Sequence, residues 1–270
     1  MNGVYDDERL AGVYESGNEM PDDALSAWTR LIGSFASRTA PAIVEVGSGT
    51  GMFCSAMARW LDASTVLGVE PSTPMLTQAR RRNPHPAVHY VTGTAEALPT
   101  RDGLFDLALL SRVVHHLPDR PRAARELARV LRPGGVAVVR TTFRDALDAL
   151  VYDYWPRLRD LDERRFPSRD QVVRDFTGAG FTVHTVTSFA QPVTPSLGAY
   201  HARMTARPQS KFTRLTPAEF AHGLRCLAAD ARNEPPNRPA PATERYDVAV
   251  FTAPRAAPDA PTASGAPRRT

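Results

Sequence analysis

Lysine is nearly missing from this sequence. Lys211 is the only one in 270 residues, so 32 of the 33 basic side chains are arginine. The formal net charge of +4 and the pI near 9.4 therefore rest on guanidinium groups. These are scattered among Asp and Glu rather than gathered in one dense block with interleaved aromatics. With 24 prolines and abundant alanine, they read as compositional bias and predict no nucleic-acid partner. Cysteine is scarce too. Cys54 and Cys226 show no metal-ligand spacing, which excludes a disulfide scaffold, predicts no metal site and fits a reducing compartment, by default the cytoplasm. No uninterrupted apolar run approaches about 18 residues, so no membrane span is expected. The start, "MNGVYDDERL", lacks a basic stretch followed by an apolar one, which predicts no secretory signal.

What is present suffices for one good core, since 42 % of residues are hydrophobic. Residues 22–37 carry apolar positions at helical spacing behind Asp22 and Asp23. Short apolar strands follow at 42–46, 64–70, 87–93, 105–111 and 136–143, with helical stretches after the first, second and fourth. Such alternation predicts a parallel sheet with right-handed crossovers and both faces covered. Further on, the spacing predicts helices over 145–166, 168–178, 196–207 and 216–231. It also predicts strands over 181–187 and through "RYDVAVFTA". Residues 254–270 lack the apolar content to order themselves and read as a disordered tail.

Chemistry concentrates in "IVEVGSGTG", residues 43–51. A glycine-rich turn after a strand brings backbone close to a nucleotide-like ligand. The dinucleotide fingerprint needs a third glycine three residues after the second. Counting from Gly47 and Gly49, that place is Met52, and the third glycine, Gly51, comes one residue early. No Lys-Ser or Lys-Thr follows, so a triphosphate loop fails as well. Glu70 ends the next strand, where a carboxylate can accept both hydroxyls of a ribose. The expected ligand is a nucleoside without a 2′-phosphate.

"VEVGSGTG", "GVEPSTPML", "GTAEALP", "FDLALLSRVVHHLPD" and "ELARVLRPGG" stand in the order and spacing of class I S-adenosylmethionine-dependent methyltransferases. The chain most resembles their small-molecule branch, often called type 11. The resemblance covers residues 42–140 and reaches back to about residue 12 through "GVYESGNEMPDDALSAW". It implies an α/β fold, a Rossmann-like doubly wound sheet, mostly parallel with an antiparallel last strand. It also implies an N-terminal helical lid (1–40), a cofactor domain (41–253) with helical insertions at about 145–166 and 196–231, and the tail at 254–270.

The resemblance assigns roles to matched positions. Gly47, Gly49 and Gly51 would line the methionine and ribose of S-adenosylmethionine, with Glu45 reaching the amino group. Glu70 would take the ribose hydroxyls, and Pro71 and Met75 would pack near ribose and adenine. Thr94, Ala95 and Glu96 would border the adenine, although many relatives have aspartate where Thr94 stands. Ser111, Arg112 and Val113 would follow the pocket floor.

Catalytic candidates are fewer. His115 and His116 could take a proton from an acceptor; equally, one could fix the loop while the other is partly exposed. Tyr14 of the lid, Arg140 at the end of the fifth strand, and Tyr152 and Trp155 in an aromatic helix are acceptor-contact candidates. An aromatic stripe at helical spacing also suits a core. The expected acceptor is a small molecule receiving methyl on oxygen, nitrogen or carbon. The rival is a non-catalytic cofactor-binding subunit, and the sequence leaves a homodimer open. Nucleic-acid amino-methylation is disfavoured because "SRVVHH" stands where an Asn/Asp-Pro-Pro-aromatic motif belongs.

Overall fold

The computed structural model describes residues 20–255 apart from 207–209, 236, 238 and 240. Tyr14, residues 1–19 of the expected lid and nearly all of the expected tail lie outside the described residues. In chain order the elements are α1 (Asp22–Gly33), β1 (Ala42–Val46), α2 (Met52–Trp60), β2 (Thr65–Glu70), α3 (Thr73–Arg82), β3 (Val88–Thr92) and β4 (Phe105–Ser111). They continue as α4 (Arg120–Val130), β5 (Leu131–Thr141), α5 (Val151–Tyr154), α6 (Pro156–Arg165), α7 (Arg169–Thr177), β6 (Thr182–Thr194), α8 (Leu197–Thr205), α9 (Pro217–Asn233) and β7 (Ala242–Thr252).

The helices begin where the sequence caps them. Ser72 accepts from the Met75 amide at the start of α3, with Pro74 in the first turn. Ser168 with Gln171, and Thr216 with Glu219, form reciprocal capping boxes on α7 and α9.

The sheet has seven strands in the order β3-β2-β1-β4-β5-β7-β6. The first five run parallel, and β7 lies antiparallel between β5 and β6. β1 and β4 are buried almost throughout, as strands covered on both faces must be. One face packs under α4 and α7 through Leu127, Val130, Val172 and Phe176. The other packs under α1 and α2 through Leu25, Ile32, Phe53 and Met57. A third apolar cluster ties α5, α6, α8 and α9 into a cap beyond the strand ends, built on Trp155, Tyr200, Phe212 and Phe220.

Three elements differ in extent from their sequence pattern. β6 runs on to Thr194 because β7 pairs with it along that whole length. Pro192 is tolerated because β6 is an edge strand and the register shifts between Pro192 and Thr194. β5 begins at Leu131, five residues before its apolar run; Arg132–Gly135 bulge out between the pairs Phe105–Leu131 and Leu107–Val136. The stretch 145–166 breaks into α5 and α6 at Trp155, because Pro156 pushes the preceding residue out of the helical region.

Candidate functional site

The strand order reverses between β1 and β4, and doubly wound sheets bind ligands at the carboxyl ends of strands at such a point. The glycine turn stands there. Gly47 has φ 69° and Gly51 has φ 80°, a region costly for any other residue. A side chain at Gly47 would also collide with Val113. The turn is braced throughout. The Gly47 and Ser48 amides donate to the Val69 carbonyl at 2.8 and 3.1 Å, and Gly51 donates to the Ser48 carbonyl at 2.9 Å. Asn83 donates to the Thr50 carbonyl at 2.8 Å, and the Tyr90 hydroxyl reaches the Gly51 carbonyl at 3.3 Å. A turn with these amides engaged is a poor phosphate cradle and a good contact surface for a flat group. The Ser48 hydroxyl, by contrast, is buried there without a hydrogen-bond partner.

Two carboxylates flank the turn. The Glu70 oxygens accept from the Gly49 amide and the Ser72 amide, both at 3.0 Å, which fixes the carboxylate beside the glycines. Glu45, on β1, accepts from the Cys54 thiol at 2.9 Å. Burial pushes its carboxyl up to about 8, against the lowering effect of the Cys54 bonds, with Glu70 adding to the rise. Burial likewise holds the Cys54 thiol well above its usual range.

A cleft opens from this turn. It is lined by Glu45, Gly47, Gly49, Ser111 and Arg112 from the expected cofactor set and by Arg140 from the expected acceptor set. Arg112 follows β4 at φ 58°, a strained conformation for a non-glycine residue, and its amide donates to the Arg140 carbonyl at 2.7 Å. Gly51, Glu70, Pro71, Met75, Thr94, Ala95, Glu96 and Val113 do not line this cleft. Of these, Met75 and Ala95 are buried, Thr94 is exposed and pairs in an isolated bridge with Ala97, and a buried oxygen of Glu96 has no hydrogen-bond partner.

The far wall comes from residues that sequence reasoning missed: Gln191 of β6, Arg203 of α8, and Glu244 and Tyr246 of β7. They lie well downstream of the motif segment and carry no signature of their own. Burial works against ionisation of Glu244, but Arg112, the Tyr246 hydroxyl at 2.6 Å, Lys211 and Arg203 outweigh it and hold the carboxyl low. Trp28 bridges the walls, donating to Gln191 at 2.6 Å and standing edge-on to Tyr246.

His115, His116, Tyr152 and Trp155 stand outside the cleft lining. His115 packs on Phe166 and on His116, with ring centroids 4.4 and 4.2 Å away. Arg165 lies 2.6 Å from one ring nitrogen of His116. Burial, then Arg165 and Arg112, push His116 down to about 3; burial and the same cationic surroundings hold His115 well below its usual range. Tyr152 donates to Asp162 at 2.9 Å, and Trp155 donates to the Phe220 carbonyl at 3.2 Å while stacking on that ring. Both belong to the apolar cap. Among the described residues, no three His, Cys, Asp or Glu side chains could hold a metal ion, and no helix is long and apolar enough to cross a membrane.

Residues 44–139 match a family model described as a methyltransferase domain. A malonyl-[acyl-carrier protein] O-methyltransferase from Serratia marcescens is 33 % identical over 150 residues, 56 % of this chain and 56 % of that protein. The chain spans about half the length of the curated relatives it matches. Among solved structures, a candidate methyltransferase from an antibiotic biosynthesis pathway of Anabaena variabilis shares the fold. Its TM-score is 0.69 and its identity 23 %, over 83 % of this chain and 96 % of that one. The [4+2]-cyclase SpnF shares it too, with a TM-score of 0.63 and 20 % identity over 94 % of this chain and 95 % of that one. The fold by itself therefore does not name a reaction.

Proposed function

We propose, on the premise that residues 44–139 form a methyltransferase domain, that the chain transfers a methyl group from S-adenosylmethionine to a small-molecule acceptor. The observation that carries this reading is the glycine turn, its amides engaged within the protein, flanked by Glu45 and Glu70. That combination suits a nucleoside bearing an ammonium group and free ribose hydroxyls better than a pyrophosphate.

Gly47, Gly49 and Gly51 would back the methionine and ribose portions. Glu45 would take the amino group and Glu70 the ribose hydroxyls, each charged hydrogen bond contributing about 1.5–3 kcal/mol. Pro71 and Met75 would pack near the ribose and adenine, and Thr94, Ala95 and Glu96 would border the adenine. Ser111, Arg112 and Val113 would follow the floor. The bound cofactor supplies a methyl group on a positively charged sulfur, an electrophile that needs no metal.

The chain's own contribution is to hold an acceptor in line and keep water out. Alignment alone can lower such a barrier by about 7–11 kcal/mol. A base whose conjugate acid ionises near 3, as at His116, has little driving force to take a proton at neutral pH. Positioning therefore leads, and His115 and His116 serve as a neutral brace under the loop after β4. The acceptor is a metabolite, and the two unpaired cysteines suit the reducing cytoplasm.

The test is direct. The protein is incubated with methyl-labelled S-adenosylmethionine and a broad panel of small oxygen, nitrogen and carbon nucleophiles. Transfer of label with stoichiometric S-adenosylhomocysteine is the expected result. Cofactor binding without transfer to any acceptor would make the chain a binder instead.

A further inference from the structure

Arg140 is a buried charge in the cleft whose desolvation is offset only in part, by Tyr246 through a hydrogen bond and by Glu244 at longer range. It ends β5, is only 2 % exposed, and lines the opening. Its guanidinium carbon lies 3.9 Å from the Tyr246 ring centroid, 4.6 Å from Trp28 and 5.7 Å from Phe53. Aromatic faces stabilise a cation but accept no hydrogen bonds in its plane. One terminal nitrogen reaches the Ser111 hydroxyl at 3.3 Å, and the buried Nε has no hydrogen-bond partner. Among the described residues no carboxylate forms an ion pair with it. Burying a guanidinium this way is unfavourable unless an anion arrives to pair with it.

The rest of the lining agrees. Arg112, Arg140 and Arg203 face the cleft against Glu45 and Glu244. Glu244 is held ionised by its neighbours, whereas burial keeps Glu45 protonated until about pH 8. Among the described lining residues, arginines outnumber acids three to two. A bound sulfonium cofactor, itself a net cation, offsets the ionisation of Glu45 and leaves that excess in place.

We propose that the acceptor is a small carboxylic acid whose carboxylate pairs in plane with Arg140. This rests on the methyl-transfer reading of the same site. A guanidinium edge matches a carboxylate in two parallel hydrogen bonds, so the site selects shape as well as charge. Ser111 orients the guanidinium from β4, and the three rings keep water from its faces. Arg140 thereby sets acceptor specificity and takes no proton. The cofactor carries a carboxylate as well, so the test must separate the two sources.

Wild-type protein saturated with S-adenosylhomocysteine is titrated with acetate, malonate, benzoate and 4-hydroxybenzoate, each against its amide. At least one acid should bind about tenfold or more tightly than its amide. Arg140→Gln should abolish that preference while leaving S-adenosylhomocysteine affinity within about twofold, and Arg140→Lys should restore part of it. The wild-type comparison stands alone if a variant does not fold. No preference for any acid, or a preference that survives in Arg140→Gln, overturns the proposal. Loss of S-adenosylhomocysteine affinity in Arg140→Gln assigns the guanidinium to the cofactor's carboxylate and also overturns it. Failure of the wild-type protein to bind S-adenosylhomocysteine at all would instead defeat the cofactor reading beneath it.

Discussion

At the scale of single residues, Glu45 is, on the proposed cofactor reading, the group that sets the pH dependence of binding. Its carboxyl is buried against the Cys54 thiol and loses its proton only near pH 8. An ammonium group arriving beside it would favour the ionised form and expel that proton. At pH 7, binding of S-adenosylhomocysteine should therefore release close to one proton. Calorimetry in buffers of different ionisation enthalpy reads that release directly, and Glu45→Gln should bring it to about zero. Release unchanged in Glu45→Gln would mean another group meets the amine. Glu45 was legible in the sequence as an acid inside an apolar strand leading to glycines. Its link to Cys54 was not, because the two meet only when α2 folds back over β1.

At the scale of elements, the short turn after β4 behaves as a neutral wedge. His115 and His116 are packed against Phe166 and Arg165 and stand away from the cleft lining. Between about pH 3 and 6.5 the unfolded chain binds a proton at His116 that the folded chain refuses. Folding stability should accordingly fall as pH drops through that window. His116→Asn should blunt the fall, seen as a smaller gap between urea midpoints at pH 4.5 and pH 7. The same variant should keep most of its turnover at pH 7; a loss of about 10² or more would restore it as a general base. The aromatic stretch 152–166 carries the complementary lesson. Periodicity announces an apolar face, but Tyr152 and Trp155 spend theirs on the cap core, where Trp155 sits against the bare backbone of Gly223. A stripe facing a pocket and a stripe facing a core read alike in one sequence.

At the scale of the whole molecule, the glycine-turn side of the cleft was legible and its far wall was not. Alternating strands and helices, the spacing of Gly47, Gly49 and Gly51, and Glu70 nineteen residues beyond them are local signals. They foretold β1 to β5 and a glycine turn after β1; the strand order then shows that this turn stands at the switch point. Gln191, Arg203, Glu244 and Tyr246 reach the cleft because β7 inserts between β5 and β6, a pairing across distant segments that leaves no local trace. Arg140 is the exception: its place at a strand end marked it in advance, and it lies buried in the cleft lining with no direct ion pair among the described residues.

The central claim is that this cleft and the glycine turn hold S-adenosylmethionine. The most direct measurement is a calorimetric titration of the wild-type protein and of Glu70→Ala with S-adenosylmethionine and S-adenosylhomocysteine. The account predicts saturable binding to the wild-type protein and at least about tenfold weaker binding to Glu70→Ala, equivalent to roughly 1.4 kcal/mol. No binding to the wild-type protein, or equal affinity in a folded Glu70→Ala variant, would contradict it.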